Sequence, residues 1–399
     1  MRIGMMADVY KPRVSGITHY ISLNKRYLEE KGHQVFVFTF GNLDYPDDEA
    51  NIIRSPGLPL VDTGYFLSFR YAPEAKKLLQ SMDVVHVHHP FLSGSLALRY
   101  CRPLRIPVVF TNHTRYDLYM QAYFPILPDA FGETFLEAYL PSFCRAVDLV
   151  ISPSQSVADI LGKIGITSPV EVIPNGVDLK HFKGNIQPCA RSEFNFDPED
   201  VVLIYTGRLA PEKNLPFLLR AFSGVAETYP YVRLVLVGVG PDQDTLKDIV
   251  VNNPRLKGRV FFTGMVAYQD IPSYLAMSDG FVTTSVTEVH PLSVIEAMAS
   301  GLPILGINSP GVGDIVEDGH NGLLSSDDLA AFTAKMSLFV SQPKLRKALA
   351  KEACDHADRY AIERTSQLVM EQYQLLVSQA SRRQNGFRYF VRSFWERWR

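Results

Sequence analysis

Short apolar runs, each bounded by turn residues, recur along the whole chain with amphipathic stretches between them. In the first half they read RIGMMA, QVFVFTF, DVVHVHH, PVVFTNH, DLVISPS and VEVIPNG. A second series runs VVLIYTGR, VRLVLVGVG, RVFFTG, GFVTTS, LPILGI and GLLSS. Continuous β-branched runs fit strands buried on both faces, and their alternation with helical segments predicts parallel βαβ units. Two of those helices are well delimited: ITHYISLNKRYLEEKG stops at Gly32 and LPFLLRAFSGVAETYP at Pro230. Residues 184–200, GNIQPCARSEFNFDPED, have no period and hold two prolines, so they divide the two series. The expected architecture is α/β, with two Rossmann-like, doubly wound domains facing each other across a cleft.

Composition narrows the class. A chain of 399 residues is too long for one typical core. Lysine and arginine total 40 against 42 acidic residues, a balance that does not call for nucleic acid. Cys101, Cys144, Cys189 and Cys354 lie far apart with no metal-binding spacing, which reads as reduced thiols in a cytosolic protein. The start, MRIGMMADVYKP, carries Asp8 and no apolar core of a signal peptide, and no window approaches the ~20 apolar residues of a bilayer span.

In open α/β sheets ligands sit beyond the carboxyl ends of strands, so chemistry is sought in those loops. After the first strand, Ser15-Gly16 precedes a helix whose free N–H groups suit an anion, although a plain strand-to-helix turn accounts for the same residues. No GxGxxG is present there, which argues against a nicotinamide or flavin cofactor. In IYTGRLAPEKN, Arg208 and Lys213 follow a strand and suit a diphosphate; a solvated loop neutralised by Glu212 is the alternative. In TTSVTEVHPLSVIEAMASGLPIL, Glu288 falls in a loop and Pro291 opens a helix on which Glu296 faces outward. His290, Leu292 and Ser293 then sit where helix amides are unpaired. That place favours a phosphate, while the carboxylates favour sugar hydroxyls. The bland reading makes Glu296 a cap for a neighbouring element and Glu288 a surface residue.

Glu288-x7-Glu296, GRLAPEKN some 80 residues earlier, IPNGVD at 173–178, His113 in TNHTRYDLY, ISPS, LVGVGP and ASGLPIL together resemble the retaining glycosyltransferase family 4, of GT-B fold. The resemblance covers nearly the whole chain. It implies domains over 1–184 (acceptor side) and 185–358 (nucleotide-sugar side), with helices over 359–399 that cross back to the first domain. Arg208 and Lys213 would neutralise the donor diphosphate. Glu288 would hold donor-sugar hydroxyls, Glu296 the nucleotide ribose, and the Leu292 and Ser293 amides the phosphates. Gly16 would line the donor, and His113 would lie beside the reacting sugar from the opposite domain. Here Val289-His290-Pro291-Leu292 stands where many relatives read Gly-Phe-Gly-Leu, and the proline removes one N–H donor. The implied reaction is retaining transfer of a hexose from a nucleoside diphosphate sugar, with domain closure over both substrates. No D-x-D motif precedes a suitable loop, so no obligatory metal or other cofactor is expected.

The aromatic-rich segment after His113 resembles that of glycolipid-forming members. It points to a lipid acceptor such as diacylglycerol or a glycosyl-diacylglycerol, with UDP-glucose as donor and Tyr10, Tyr116 and Tyr119 among the acceptor contacts. An amphipathic helix pair covering the sheet is the plainer reading. A polysaccharide, a small polyol or phosphatidylinositol remain alternative acceptors. A phosphorylase, an epimerase and a non-catalytic nucleotide-sugar binder are the rival activities. The tail SRRQNGFRYFVRSFWERWR sets six arginines against one glutamate and holds both tryptophans of the chain. Phe390, Phe394, Trp395 and Trp398 fall on a helical stripe with Arg388 and Arg392 beside it, a pattern suited to an anionic membrane surface. A helix packed on the first domain is the alternative. The expected location is cytoplasmic, peripheral on the inner face of the cell membrane.

Overall fold

The computed structural model describes the chain except residues 14, 42, 61–64, 117, 119–128 and 397–399, and the side chains of 129–137 and 383–396. It forms two compact units: Met1–Gly176 with Ile362–Arg399, and Val177–Ala361. The division falls ahead of residues 184–200 because Val177, Leu179 and Phe182 are buried in the core of the second unit.

The strands, in chain order, are β1 (Arg2–Met6), β2 (Gln34–Phe40), β3 (Ile52–Ser55), β4 (Leu58–Pro59), β5 (Phe66–Leu67), β6 (Val84–Val87), β7 (Val108–Thr111), β8 (Leu149–Ser152), β9 (Val170–Val172), β10 (Val201–Thr206), β11 (Val232–Val237), β12 (Val260–Gly264), β13 (Gly280–Thr283), β14 (Ile304–Ile307) and β15 (Gly322–Ser325). The first unit holds a seven-stranded sheet in the order β3-β2-β1-β6-β7-β8-β9. The second holds six strands ordered β12-β11-β10-β13-β14-β15. Every pairing in these two sheets is parallel. Twelve of these strands coincide with the twelve apolar runs of the sequence. The three that do not are β3, which carries Arg54, and the two-residue strands β4 and β5.

Burial on both faces is the reason the runs are continuous. All of Val201–Thr206 is buried, as are β6, β7, β8, β13 and β14. Successive residues of β10 point to opposite faces, so Leu203 and Tyr205 enter one core and Val202 and Ile204 another. In the first unit the helix Gly16–Glu30 is started by Ser15, whose hydroxyl accepts from Thr18 N while Thr18 Oγ1 accepts from Ser15 N. The final helix, Ile362–Glu396, packs back on this unit through Val369, Met370 and Tyr373. Ser366 there donates to Asn24 Oδ1 at 2.7 Å.

Each sheet reverses its strand order once, between β1 and β6 and between β10 and β13. Such switch points open a crevice at the carboxyl edge of the sheet. Both groups of candidate residues lie there.

Candidate active site

In the second unit, the loop after β10 meets the loop after β13. Lys213 Nζ lies 2.6 Å from Glu288 Oε1, and both side chains are about four-fifths shielded from water. Burial alone would lower the Lys213 pKa, but the charge of Glu288 in contact outweighs it and the ammonium is held above its ordinary value. Three hydroxyls fix this geometry. Thr284 donates to the Lys213 and Asn214 carbonyls, while Ser285 and Thr287 donate to the Glu212 carbonyl. Arg208 sits at the rim, 58% exposed, with Glu212 3.9 Å away. The β11 loop closes on this segment because Gly238, at φ +134°, has no side chain; a Cβ there would lie 2.0 Å from Gly207 O.

The helix Leu292–Ala299 begins after Pro291, whose side chain offers its first amides no cap. The Glu288–Val289 backbone ahead of it is held by Gly311, where φ is +81° and a Cβ would lie 2.7 Å from Glu288 O. Glu296 does not face outward as expected. It is 7% exposed, since Val294, Ile295, Ala297 and Met298 around it are buried as well. Its Oε1 accepts from Tyr268 OH at 3.1 Å. Burial pushes its carboxyl up to about 7, opposed by the Tyr268 hydrogen bond. His290 is likewise buried, its ring edge-on to Tyr360, and burial pulls its pKa down to about 4.

In the first unit the carboxyl ends of β1, β6 and β7 converge. Asp8 Oδ1 accepts from the Ser93 amide and hydroxyl. His113 Nε2 lies 3.0 Å from His88 Nδ1. His86 is bonded at both nitrogens, to Tyr373 OH at 2.5 Å and Thr111 Oγ1 at 2.7 Å. Gly16 is the first residue of its helix, and a Cβ there would meet nothing within 4 Å. Tyr10 and Tyr116 are each 2% exposed, and the Tyr10 hydroxyl donates to Glu49.

A family model for Glycosyltransferase Family 4 matches residues 14–181, and one for Glycosyl transferases group 1 matches residues 187–356. The alpha-monoglucosyldiacylglycerol synthase of Streptococcus pneumoniae is 31% identical over 87% of this chain and 80% of its own length. The chain belongs to glycosyltransferase family 4. The synthase of the same name from Acholeplasma laidlawii is 28% identical over 81% of this chain and 84% of its own. HepE of Anabaena, solved with UDP and glucose, superposes with a TM-score of 0.72 at 21% identity, over 94% of this chain and 99% of its own. The fold is therefore GT-B, and the protein is a glycosyltransferase.

Within this glycosyltransferase the second unit brings Lys213, Glu288 and Arg208 to one switch point, with Glu296 on the helix that follows. Sequence reasoning missed Tyr268, the hydroxyl set Thr284, Ser285 and Thr287, and His88. The hydroxyls carried a legible signal, a run of small polar residues between a strand end and Glu288. Tyr268 carried none, being 28 residues from its partner. Tyr119 and Trp398 lie outside the described residues, and the side chains of Arg388, Phe390, Arg392, Phe394 and Trp395 do as well. Among the described residues no helix is long and apolar enough to cross a membrane.

Proposed function

We propose that this family 4 enzyme transfers glucose from UDP-glucose, with retention of the anomeric configuration, to diacylglycerol or a glycosyl-diacylglycerol at an anionic membrane surface. The observation that carries the donor half is the Lys213–Glu288 contact with Arg208 open beside it. Departure of the sugar builds negative charge on the diphosphate, and fixed cations with unpaired helix amides stabilise that charge without reorganising. The diphosphate competes with Glu288 for Lys213, which releases the carboxylate to accept hydroxyls of the donor sugar. Glu296 accepts from the ribose, and the Leu292 and Ser293 amides meet the phosphates. His113 contributes a hydrogen bond to the sugar being transferred, and Gly16 leaves room for the donor.

The acceptor half rests on the two diacylglycerol glucosylating relatives and on the basic, tryptophan-bearing tail. The UDP and glucose of HepE support the donor. The test is a matrix of UDP- and GDP-sugars against diacylglycerol, monoglucosyl-diacylglycerol and soluble acceptors, read by mass spectrometry. A glucosylated lipid formed only with UDP-glucose is expected. Product on soluble acceptors alone, or only with GDP-sugars, overturns the assignment.

A further inference from the structure

The carboxyl ends of β6 and β7 carry a row of histidines of which the reaction as proposed uses one. His86 and His88 alternate on β6 and just past it, and their ring centroids are 4.3 Å apart. His88 lies 5.3 Å from His113, nearly parallel at 29°. Tyr20 closes over both with its edge, 5.6 Å from His88 and 4.8 Å from His113. His88 is fully buried. Its Nδ1 meets His113 Nε2, and its Nε2 has no hydrogen-bond partner among the described residues.

Burial lowers the pKa of His86, His88 and His113, the latter two well below the ordinary histidine value, with the neighbouring imidazoles adding to the effect. All three rings are therefore neutral at physiological pH. A neutral imidazole has one donor and one acceptor nitrogen, so a single proton lies between His88 and His113. Two arrangements satisfy the contact. If His113 donated, His88 would carry its own proton on Nε2, a buried N–H with nothing to receive it. If His88 donates, Nε2 keeps only an unfilled lone pair. Orphaned buried N–H groups are the rarer of the two defects.

We infer that His88 is a positioning residue for glycosyl transfer: its Nδ1–H donates to His113 Nε2 and fixes His113 as the Nδ1–H tautomer. His113 then presents a hydrogen-bond donor, suited to a sugar or leaving-group oxygen, and has no free lone pair with which to take a proton. His113 is half-buried, and its Nδ1 makes no hydrogen bond among the described residues. The hydrogen bond fixes both the tautomer and the orientation of the His113 ring, so the donor nitrogen is held in place rather than sampled among protonation and ring-flip states. This role rests on the proposal that His113 meets the reacting sugar.

The experiment uses full-length protein labelled with ¹⁵N-histidine and a long-range ¹H–¹⁵N spectrum assigned with His88→Phe and His113→Phe. The wild type is expected to show the His113 proton on Nδ1. His88→Phe is expected to give mixed His113 tautomers, with kcat reduced about 10- to 100-fold, as for other residues that orient a functional histidine, and donor KM within about twofold. His88→Asn, whose amide nitrogen overlays Nδ1, should restore both the tautomer and most of the turnover. A wild-type His113 proton on Nε2 overturns the inference, as does an unchanged kcat in His88→Phe. Full turnover in His113→Phe removes the catalytic reading of His113, and the role of His88 with it. The donor-side assignment is tested separately at Lys213.

Discussion

Lys213 Nζ and Glu288 Oε1 stand 2.6 Å apart although 75 residues separate them in the chain. The contact joins the loops after β10 and β13, the two central strands of the second sheet. Replacing Lys213 by Ala removes the cation and leaves Glu288 shielded without its partner. Loss of kcat by at least about 100-fold is expected, since one preorganised group at a developing charge is worth that much. Arg208→Ala should cause a similar loss of turnover with an unchanged Tm, because its side chain is 58% exposed. Steady-state release of nucleoside diphosphate checks both; near wild-type rates in the two single variants would sink the diphosphate assignment.

Glu296 gives a stability prediction with a definite sign. Its folded-state pKa is raised from 4.5 to about 7 by burial. Such a group contributes stability below about pH 4.5, and that contribution is lost as pH rises through 7. Glu296→Gln should therefore raise Tm at pH 8, by the equivalent of up to about 3 kcal/mol, and leave it unchanged at pH 4. Calorimetry at the two pH values decides it.

The same carboxyl sets a binding prediction. Donor hydroxyls bond better to a carboxylate than to a protonated acid. The donor KM of the wild type is expected to rise as pH falls below 7, and that of Glu296→Gln to be higher and flat. Parallel pH profiles for the two proteins would contradict the ribose role.

Tyr373 reaches from the last helix to His86 Nδ1, at 2.5 Å, in the interior of the first unit. Tyr373→Phe leaves a buried imidazole nitrogen unsatisfied and should cost about 1–3 kcal/mol in chemical denaturation. An unchanged midpoint would mean the hydroxyl contributes nothing to docking of this helix.

Truncation after Ser381 removes the arginine- and tryptophan-bearing tail while keeping Tyr373 and the residues that dock the last helix. Flotation with anionic vesicles is expected to retain the full chain and release the truncated one. Equal retention of both would assign membrane contact to another surface.

The α/β class, the twelve principal strands and their parallel pairing were legible in the residue pattern, because a strand covered on both faces needs an unbroken apolar run. The same pattern also placed Arg208, Lys213 and Glu288 in strand-end loops, since turn residues mark where each strand stops. The rest came from packing across the chain. Glu296 turned inward because the helix Leu292–Ala299 is surrounded by core on nearly all sides, so helical periodicity leaves no outward face to read. The Lys213–Glu288, Tyr268–Glu296, His88–His113 and Tyr373–His86 contacts join residues 25 to 287 positions apart. Local pattern carries no information about which loops a sheet's strand order will bring together, and that order is fixed by packing of the whole unit.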